Sequence, residues 1–487
     1  MTDGSKGMAI ETPAALTRLA EAAAARGERI WFVGGSVRNA LLGLPASDLD
    51  ITGKLLHAEV QALCDGLGIK CVQMDTFLGT LHINLGNGII AEYTPFRTER
   101  YAPGGAHRPE SVFFGVSMEE DALRRDFTVN ALYRDVLTGE LADPLGGAAD
   151  VERKLLRACS RDTLSSDALR ILRLIRFSAE LGFSVAPETE EDARRNAALL
   201  DDIVPERKRE ELEKILIADA KYGGGTVSVT SENIPVTFGE AENVFNALMR
   251  MDALGVWEHL IPELTEGRGE EQNKLYHKYT VQEHIFRTVA AAPRDPLIRL
   301  TMLLHDVAKP YTFRRDGNYH LHNVNGVPMA ARILDGLRFP VKTRETVTAL
   351  VKAHMLDTAK NAKESTLRKH FAALGRENTA RLIAVRESDV HGCGTEDDFV
   401  AVKFRELFAT MLTDGTPFSE RELAIGGKGI MEATHLPAGT AIGAVKAELH
   451  AHCVHRPQDN TPERLAALAP RTEAARRALK GLAPKAD

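Results

Sequence analysis

The sequence predicts an α+β protein: a small head built on a mixed sheet, followed by an all-helical neck, body and tail. Three observations carry this. Before residue 150, short strand-like runs bounded by glycine alternate with helical ones. After residue 151 nearly every run repeats its apolar residues at three- and four-residue steps. Between the two lies "DPLGGAADV" (143–151), where Pro144, Gly146 and Gly147 break any element.

In the head, residues 11–26 are Ala- and Leu-rich at helical spacing. "RIWFVGG" (29–35) reads as a short buried strand ending at a glycine turn, "SVRNALLG" (36–43) as one or two helical turns, and "SDLDIT" (47–52) as a second strand. "LHAEVQALCDGLG" (56–68) is an amphipathic helix stopped by glycine. "LHINLGNGIIAEYTPF" (81–96) is two alternating runs around "GNG", a hairpin signal. Beyond the break, "SSDALRILRLIRFSAELGF" (165–183) and "ERKREELEKILIADA" (206–220) predict long helices with one apolar and one charged face. "GGGTVSVTSENIPVTF" (223–238) reads as a linker, loop or hairpin, and 464–486 as a surface helix with a frayed tail. No internal repeat is present.

Composition sets bounds on function. At 487 residues the chain exceeds one core and predicts roughly two to four domains. A net charge of -7 means that any nucleic-acid site must be a local basic patch in an acidic whole. The five cysteines (64, 71, 159, 393, 453) show no C-x-x-C pairing, which fits a reducing compartment without disulfides or a zinc knuckle. No apolar run flanked by positive charge opens the sequence, and none reaches the length of about eighteen needed to span a bilayer. The expectation is a cytoplasmic protein without membrane contact.

"GGSVRNALLGLPASDLD" (34–50) concentrates chemistry. Asp48 and Asp50, two apart on a strand, point to one face. Two converging carboxylates repel unless a cation sits between them, and Mg²⁺ suits such hard oxygens while leaving positions for phosphates. Gly34 and Gly35 let the backbone approach a phosphate, and Arg38 lies one turn along. The plain alternative is a glycine turn followed by a polar strand end.

This stretch resembles the signature of the DNA polymerase β-type nucleotidyltransferases of class II, which include bacterial CCA-adding tRNA nucleotidyltransferases and poly(A) polymerases. The resemblance continues through "LRRDFTVNAL" (123–132), "DPLGG" (143–147), "SDALRILRLIRFSAELGF" (166–183) and "PERKREELEKIL" (205–216), in family order over about the first 215 residues. It implies a Pol β-like head in which Asp48 and Asp50 hold Mg²⁺ and an RNA 3′ hydroxyl attacks the α-phosphate of CTP or ATP. It also implies that Gly35 and Arg38 bind the triphosphate and that Arg125, Asp126 and Asn130 hold the ribose. Glu92 is either a third carboxylate or an exposed strand glutamate. Asp167 and Arg170, at i and i+3, would accept an exocyclic amine and donate to a neighbouring ring acceptor. Cytosine and adenine both present that edge, whereas uracil and guanine present a carbonyl to the aspartate. The alternative for that pair is a surface ion pair. Arg173 and Arg176 continue the face toward phosphate. Asn39 and Ser166 depart from the family, which usually has aspartate and glutamate there. "FRTERYAPGGAHRP" (96–109) corresponds to a flexible loop that resembling enzymes need to add the terminal A.

A second constellation lies at 277–389. "LLHDVAKP" (303–310) resembles the HD phosphohydrolase motif, with His305 and Asp306 adjacent at a helix end. His284 upstream and His322, His354 and Asp389 downstream fit the remaining ligand pattern. That set suits Mn²⁺, Fe²⁺, Ni²⁺ or Zn²⁺. The activity implied is phosphatase or phosphodiesterase chemistry on 2′,3′-cyclic or terminal phosphates of RNA ends; the alternative is an inherited fold without turnover. His277 and His320 are expected to be surface histidines. Residues 423–450 resemble the closing helical segment of HD-bearing CCA enzymes, packing on the bundle or touching the tRNA elbow.

The expected organisation is a nucleotidyltransferase head (1–150), a helical neck with the base-reading helix (151–222), a linker and helical body (223–272), an HD domain (273–395) and a helical tail (396–487). The expected function is template-independent addition of CCA to tRNA 3′ ends. An A-adding enzyme, a poly(A) polymerase, or an HD phosphohydrolase with an RNA-binding head are the alternatives.

Overall fold

The computed structural model describes residues 10–45, 48–102, 109–235, 241–274, 277–394 and 398–482. Two compact units result: 1–225 with 241–265 and 336–338, and 226–240 with 266–335 and 339–487.

The first unit opens on a sheet. Its strands are β1 (Ile30–Val33), β2 (Leu49–Gly53), β3 (Cys71–Asp75), β4 (Thr80–Gly86), β5 (Ile89–Pro95), β8 (Tyr133–Asp135) and β9 (Leu141–Ala142), while β6 (Arg97–Arg100) and β7 (Ser111–Phe114) form a separate hairpin. The main order is β3-β4-β5-β2-β1-β8-β9, with β2 and β5 parallel and the other pairs antiparallel. Alternation divides the two faces. Ile51, Ile83, Ala91 and Tyr93 are buried, on a sheet packed by the helices Ala14–Ala24 and His57–Leu67. The register sets Asp50 opposite Glu92 and Glu92 opposite His82, so these three polar residues share a row on alternate positions.

Helical structure then takes over. The helix Leu169–Leu181 packs against Pro205–Leu216 and Glu242–Ala253, and nine of its thirteen residues are buried. The expected single helix over 165–183 is in fact two. Thr163–Ser166 ends at Asp167, whose backbone is extended (φ -140°, ψ 99°), before Leu169–Leu181 begins. The Asp167 carboxylate accepts the Leu169 N–H at 3.0 Å, so it caps the helix that the periodicity alone had placed it inside.

The second unit is helical. Val281–Ala291, Pro296–Leu304, Val341–Ala353 and Arg376–Gly392 pack into a bundle. Asp295 starts Pro296–Leu304 by accepting the N–H groups of Leu297 and Ile298, with proline in the first turn. Residues 423–450 give the helix Gly427–Thr434 and most of Thr440–His455. These bury Ile430, Leu436, Val445 and Leu449 in a cluster shared with Leu465. All five cysteines are unpaired by disulfides. Among the described residues no helix is long and apolar enough to cross a membrane.

Candidate active sites

In the first unit a cavity of about 700 Å³ is lined by Gly34, Gly35, Arg38, Asp48, Asp50, Arg125, Asp126, Asn130, Asp167, Arg170, Arg173 and Arg176. These span 143 positions of sequence, and the fold brings all of them to one surface. Gly34 makes the turn into the helix Gly35–Leu42 at φ 73°, with Asp50 Oδ2 3.9 Å from where a Cβ would stand. A side chain there would touch the carboxylate at ordinary contact distance, and it is the positive φ that a side chain would strain.

Asp48 is exposed and Asp50 half-buried. Burial and the negative charge of Glu92 push the Asp50 carboxyl up to about 6, with Asp48 adding to the effect and Arg125 opposing it. A carboxylate that resists ionisation beside two others is short of positive charge, and the donor set is all hard oxygen. It therefore fits a divalent cation. Glu92 is exposed and lies 3.5 Å from His82 Nε2.

Arg38 is almost wholly buried and held on two sides. Its Nη1 donates to Asn130 Oδ1 at 2.5 Å, while Nε and Nη2 donate to Asn39 Oδ1 at 3.2 and 2.9 Å. Asn39 Nδ2 in turn donates to the Pro45 carbonyl at 2.9 Å. This explains the departure from aspartate: an amide accepts from the arginine and still donates to the backbone leading toward Asp48, which a carboxylate cannot do. Asn130 passes the chain onward, donating to Asp126 Oδ1 at 3.0 Å. Asp126 Oδ2 receives Arg173 Nη2 at 2.6 Å and Nε at 3.0 Å. Burial works against ionisation of Asp126, yet Arg173 and the Asn130 amide hold its carboxyl well below the usual carboxylate range.

Arg173 is thus paired with Asp126, and Arg176 with Glu211 (2.7 Å) and Glu180 (3.1 Å). The phosphate role expected from their position on the helix face meets guanidinium groups already matched with carboxylates. Arg170 donates to the carbonyls of Thr163 (3.1 Å) and Arg124 (2.7 Å), with its Nε 3.7 Å from Asp167 Oδ2.

Sequence reasoning missed Asp121. Wholly buried, it takes Arg124 at 2.8 Å, Arg125 at 2.9 Å and the Tyr133 hydroxyl at 2.7 Å. Its spacing in "DALRR" (i, i+3 and i, i+4) was the available signal. Glu99 was missed too: it receives Arg97 and Tyr101 across β6, beside the cavity. Of the segment 96–109, β6 is strand, and 103–108 lie outside the described residues.

The second unit gathers all six residues of the expected HD-like ligand pattern. His284, His305 and Asp389 form one triad and Asp306, His322 and His354 another. Asp306 joins them: Oδ2 lies 3.1 Å from His284 Nε2 and 3.2 Å from His305 Nε2, Oδ1 3.0 Å from His322 Nε2 and 3.6 Å from His354 Nε2. His305, His322 and His354 each place Nδ1 2.7 Å from the carbonyl three residues back. A carbonyl only accepts, so Nδ1 carries a proton and Nε2 is the inward-facing atom each ring can offer a metal. Imidazole Nε2 atoms and carboxylate oxygens converging here form a ligand set for a cation, and Asp306 Oδ1 is buried without a hydrogen bond. The donor set therefore fits a metal ion.

Two neighbours escaped the sequence. Lys309 Nζ lies 2.6 Å from Asp306 Oδ2. His277, expected at the surface, is half-buried. Its ring meets that of His284 edge-on at 4.9 Å, and its Nδ1 lies 3.2 Å from Cys393 Sγ. Cys393, in turn, faces His284 Nδ1 at 3.7 Å. His320 is exposed, as expected, at the edge of the adjoining cavity.

The head and its helical continuation together define a nucleotidyltransferase. Residues 30–157 match the family described as "Poly A polymerase head domain", and 182–222 the "Probable RNA and SrmB- binding site of polymerase A". The chain is 33% identical over 341 residues to a "Multifunctional CCA protein" of Xanthomonas campestris, covering 67% of this chain and 75% of that protein. It is 32% identical over 342 residues to an "A-adding tRNA nucleotidyltransferase" of Deinococcus radiodurans, covering 67% and 68%. The fold is similar to that of the Bacillus stearothermophilus CCA-adding enzyme solved with CTP (TM-score 0.65, 24% identity, 95% of this chain and 99% of that one). A second likeness is to the Thermotoga maritima CCA-adding enzyme solved with tRNA (TM-score 0.56, 17% identity, 92% and 93%). The chain belongs to the family of CCA-adding tRNA nucleotidyltransferases of the class II bacterial type. Enzymes of this family work with a divalent metal ion.

Proposed function

We propose that this enzyme adds CCA to tRNA 3′ ends from CTP and ATP without a template, in a reaction carried by the first-unit cavity. The observation behind this is the run Arg38–Asn130–Asp126–Arg173, which fixes one phosphate-binding arginine and the ribose-facing residues as a single network beside Asp48 and Asp50. The RNA 3′ hydroxyl attacks the α-phosphate and pyrophosphate leaves. Gly35 and Arg38 bind the triphosphate; Arg125, Asp126 and Asn130 hold the ribose. Asp167 and Arg170 read the amine-and-acceptor edge shared by cytosine and adenine. Arg173 keeps Asp126 ionised, and Arg176 fixes the helix to Glu211. Mg²⁺ held by Asp48 and Asp50 supplies charge neutralisation at the transferring group. Function divides along the chain as head (1–150), neck (151–222), linking body (223–272), HD domain (273–395) and tail (396–487), in the cytoplasmic setting that the free cysteines suit.

The test is incubation with Mg²⁺, CTP and ATP on tRNAs ending before C, CC and A. Three additions followed by arrest are expected, and a long A tail would sink the reading. Asp48→Ala should abolish incorporation.

The two triads around Asp306 favour a second activity, hydrolysis of 2′,3′-cyclic or terminal phosphates on RNA ends. His284, His305 and Asp389 would hold one transition-metal ion (Mn, Fe, Ni or Zn) and Asp306, His322 and His354 contribute the neighbouring ligands, supplying Lewis acidity at phosphorus. Lys309 and Arg386 put positive charge beside that position. Release of adenosine 3′- or 2′-monophosphate from adenosine 2′,3′-cyclic phosphate, dependent on added Mn²⁺ or Ni²⁺ and on His305, tests it. No hydrolysis with any of these metals would overturn it.

A further inference from the structure

The two faces of the first-unit sheet differ. On β4 and β5 the odd-numbered Leu81, Ile83, Ala91 and Tyr93 are buried, whereas the even-numbered Val72, Met74, His82, Asn84 and Ile90 of β3, β4 and β5 lie on the other side. Met74 is 56% exposed, Ile90 54% and Val72 47%. Apolar side chains gathered in the open on one sheet face mark a contact surface. This one is continuous with the chemistry, because the register runs Asp50–Glu92–His82–Val72 across four neighbouring strands. Strand order gives it a direction. Asp50, on β2, has β1 on one side and β5 on the other. Gly35 and Arg38, proposed above to bind the triphosphate, follow β1, and Asn130 precedes β8, so the nucleotide lies on the β1 side. Phosphoryl transfer keeps the attacking and leaving oxygens roughly in line. With pyrophosphate leaving on the β1 side, the attacking hydroxyl arrives from the β5 side.

We infer that the open face of β5, β4 and β3 is the track along which the unpaired 3′ end of the RNA acceptor reaches Asp48 and Asp50. The inference rests on the transfer reading above and places its acceptor strand. At about 4.8 Å per strand, His82 stands roughly 10 Å from Asp50 and Val72 roughly 14 Å, distances that the terminal nucleotides of a single strand cover. The chemistry of the face selects what lies on it. Val72, Met74 and Ile90 are apolar, Asn84 and His82 set hydrogen-bonding groups among them, and none of the five is a lysine or arginine. Such a surface suits the bases and ribose hydroxyls of unpaired nucleotides. A duplex would instead bring phosphates, which need cations to hold them.

The test sets negative charge on the track in the full chain, with Ile90→Asp and Val72→Asp, and off it with Gln73→Asp, an exposed position on the opposite face of β3. With a tRNA lacking CCA and Mg²⁺ present, kcat/KM for the RNA is expected to fall roughly tenfold in Ile90→Asp and less in the more distant Val72→Asp. KM for CTP should stay within about twofold in both, and Gln73→Asp should change neither constant. Unchanged kcat/KM for the RNA in Ile90→Asp and Val72→Asp would overturn the track. Photocrosslinking gives a reading that does not depend on turnover. The same tRNA, carrying 4-thiouridine as its last nucleotide but one, should crosslink to peptides from β3, β4 or β5, and crosslinks confined to other peptides would overturn the track. Absence of CMP incorporation by wild type overturns the transfer reading, whereas the crosslinked peptides still decide the path of the RNA end.

Discussion

Asn39→Leu isolates the support of Arg38, the arginine proposed to bind the triphosphate. Leucine keeps the volume of the buried amide and removes its hydrogen bonds. Arg38 then loses the acceptor for Nε (3.2 Å) and Nη2 (2.9 Å), and keeps Asn130 Oδ1 (2.5 Å) and the Tyr222 hydroxyl (3.4 Å). Two buried donors on a charged group left short of an acceptor cost about 3 kcal/mol together, the lower part of the range for such groups. Because about 1.4 kcal/mol is tenfold, the aligned guanidinium becomes roughly a hundredfold less favoured. Steady-state incorporation should show KM for CTP rising by about ten- to a hundredfold, with kcat changing less, as befits a residue that positions the bound triphosphate. Asn39→Asp is the internal control. It restores a stronger, charge-assisted acceptor to Arg38 but sets a carboxylate oxygen against the Pro45 carbonyl, which now receives a donor at 2.9 Å. Its KM should stay closer to wild type than that of Asn39→Leu. A KM for Asn39→Leu within about twofold of wild type, in a protein of normal thermal stability, would refute the reasoning.

Further outcomes follow from the electrostatics. The Asp50 carboxyl, pushed up to about 6, must lose its proton to bind a cation, so divalent-metal affinity at the head should fall about tenfold per pH unit below 6, measured by calorimetry with Asp48→Ala as baseline. Asp121 and Asp126 are both depressed by neighbouring arginines, which means their contribution to stability is complete above the ordinary aspartate pKa of about 3.9 and is lost as pH falls below it. A melting temperature that drops on acidification below about pH 4 in wild type, and less so in Asp126→Asn, checks that sign. Asp126→Asn should itself destabilise the head by about 1 kcal/mol, since Arg173, which is partly exposed to water, loses its ionic partner. His322→Ala should lower bound transition metal, read by elemental analysis, while CTP incorporation is retained; a loss of incorporation would tie the HD centre to the head reaction.

What the sequence disclosed follows from how local each signal is. The strand carrying Asp48 and Asp50, the helix after Gly34 and the hairpin around Asn87 depend on neighbours within a few positions, so alternation and glycine placement expose them. Asp167 was misplaced because periodicity sees the apolar stripe and not the side chain that turns back to cap it. The supporting contacts were hidden for a different reason. Asn130 meets Arg38 across 92 positions, and Cys393 meets His277 across 116. No local pattern records such pairings. His277 was dismissed because it falls outside the HD ligand spacing, yet burial against His284 gives it a place beside the centre.

Gly147 has a wider consequence. A methyl group there would collide with the Thr128 carbonyl, and Asp143 caps the helix Gly147–Glu152 by accepting the N–H groups of Gly147 and Ala148. The break in the sequence is therefore clamped to the segment Thr128–Asn130, whose Asn130 amide links Arg38 to Asp126. In a screen of random substitutions Gly147 should be as intolerant as Asp48, though it does not line the cavity. The residues that follow are pinned to the same segment, the Arg157 carbonyl accepting the Thr128 N–H and the Cys159 N–H donating to the Asp126 carbonyl, so the glycines here serve as a weld and not as a joint.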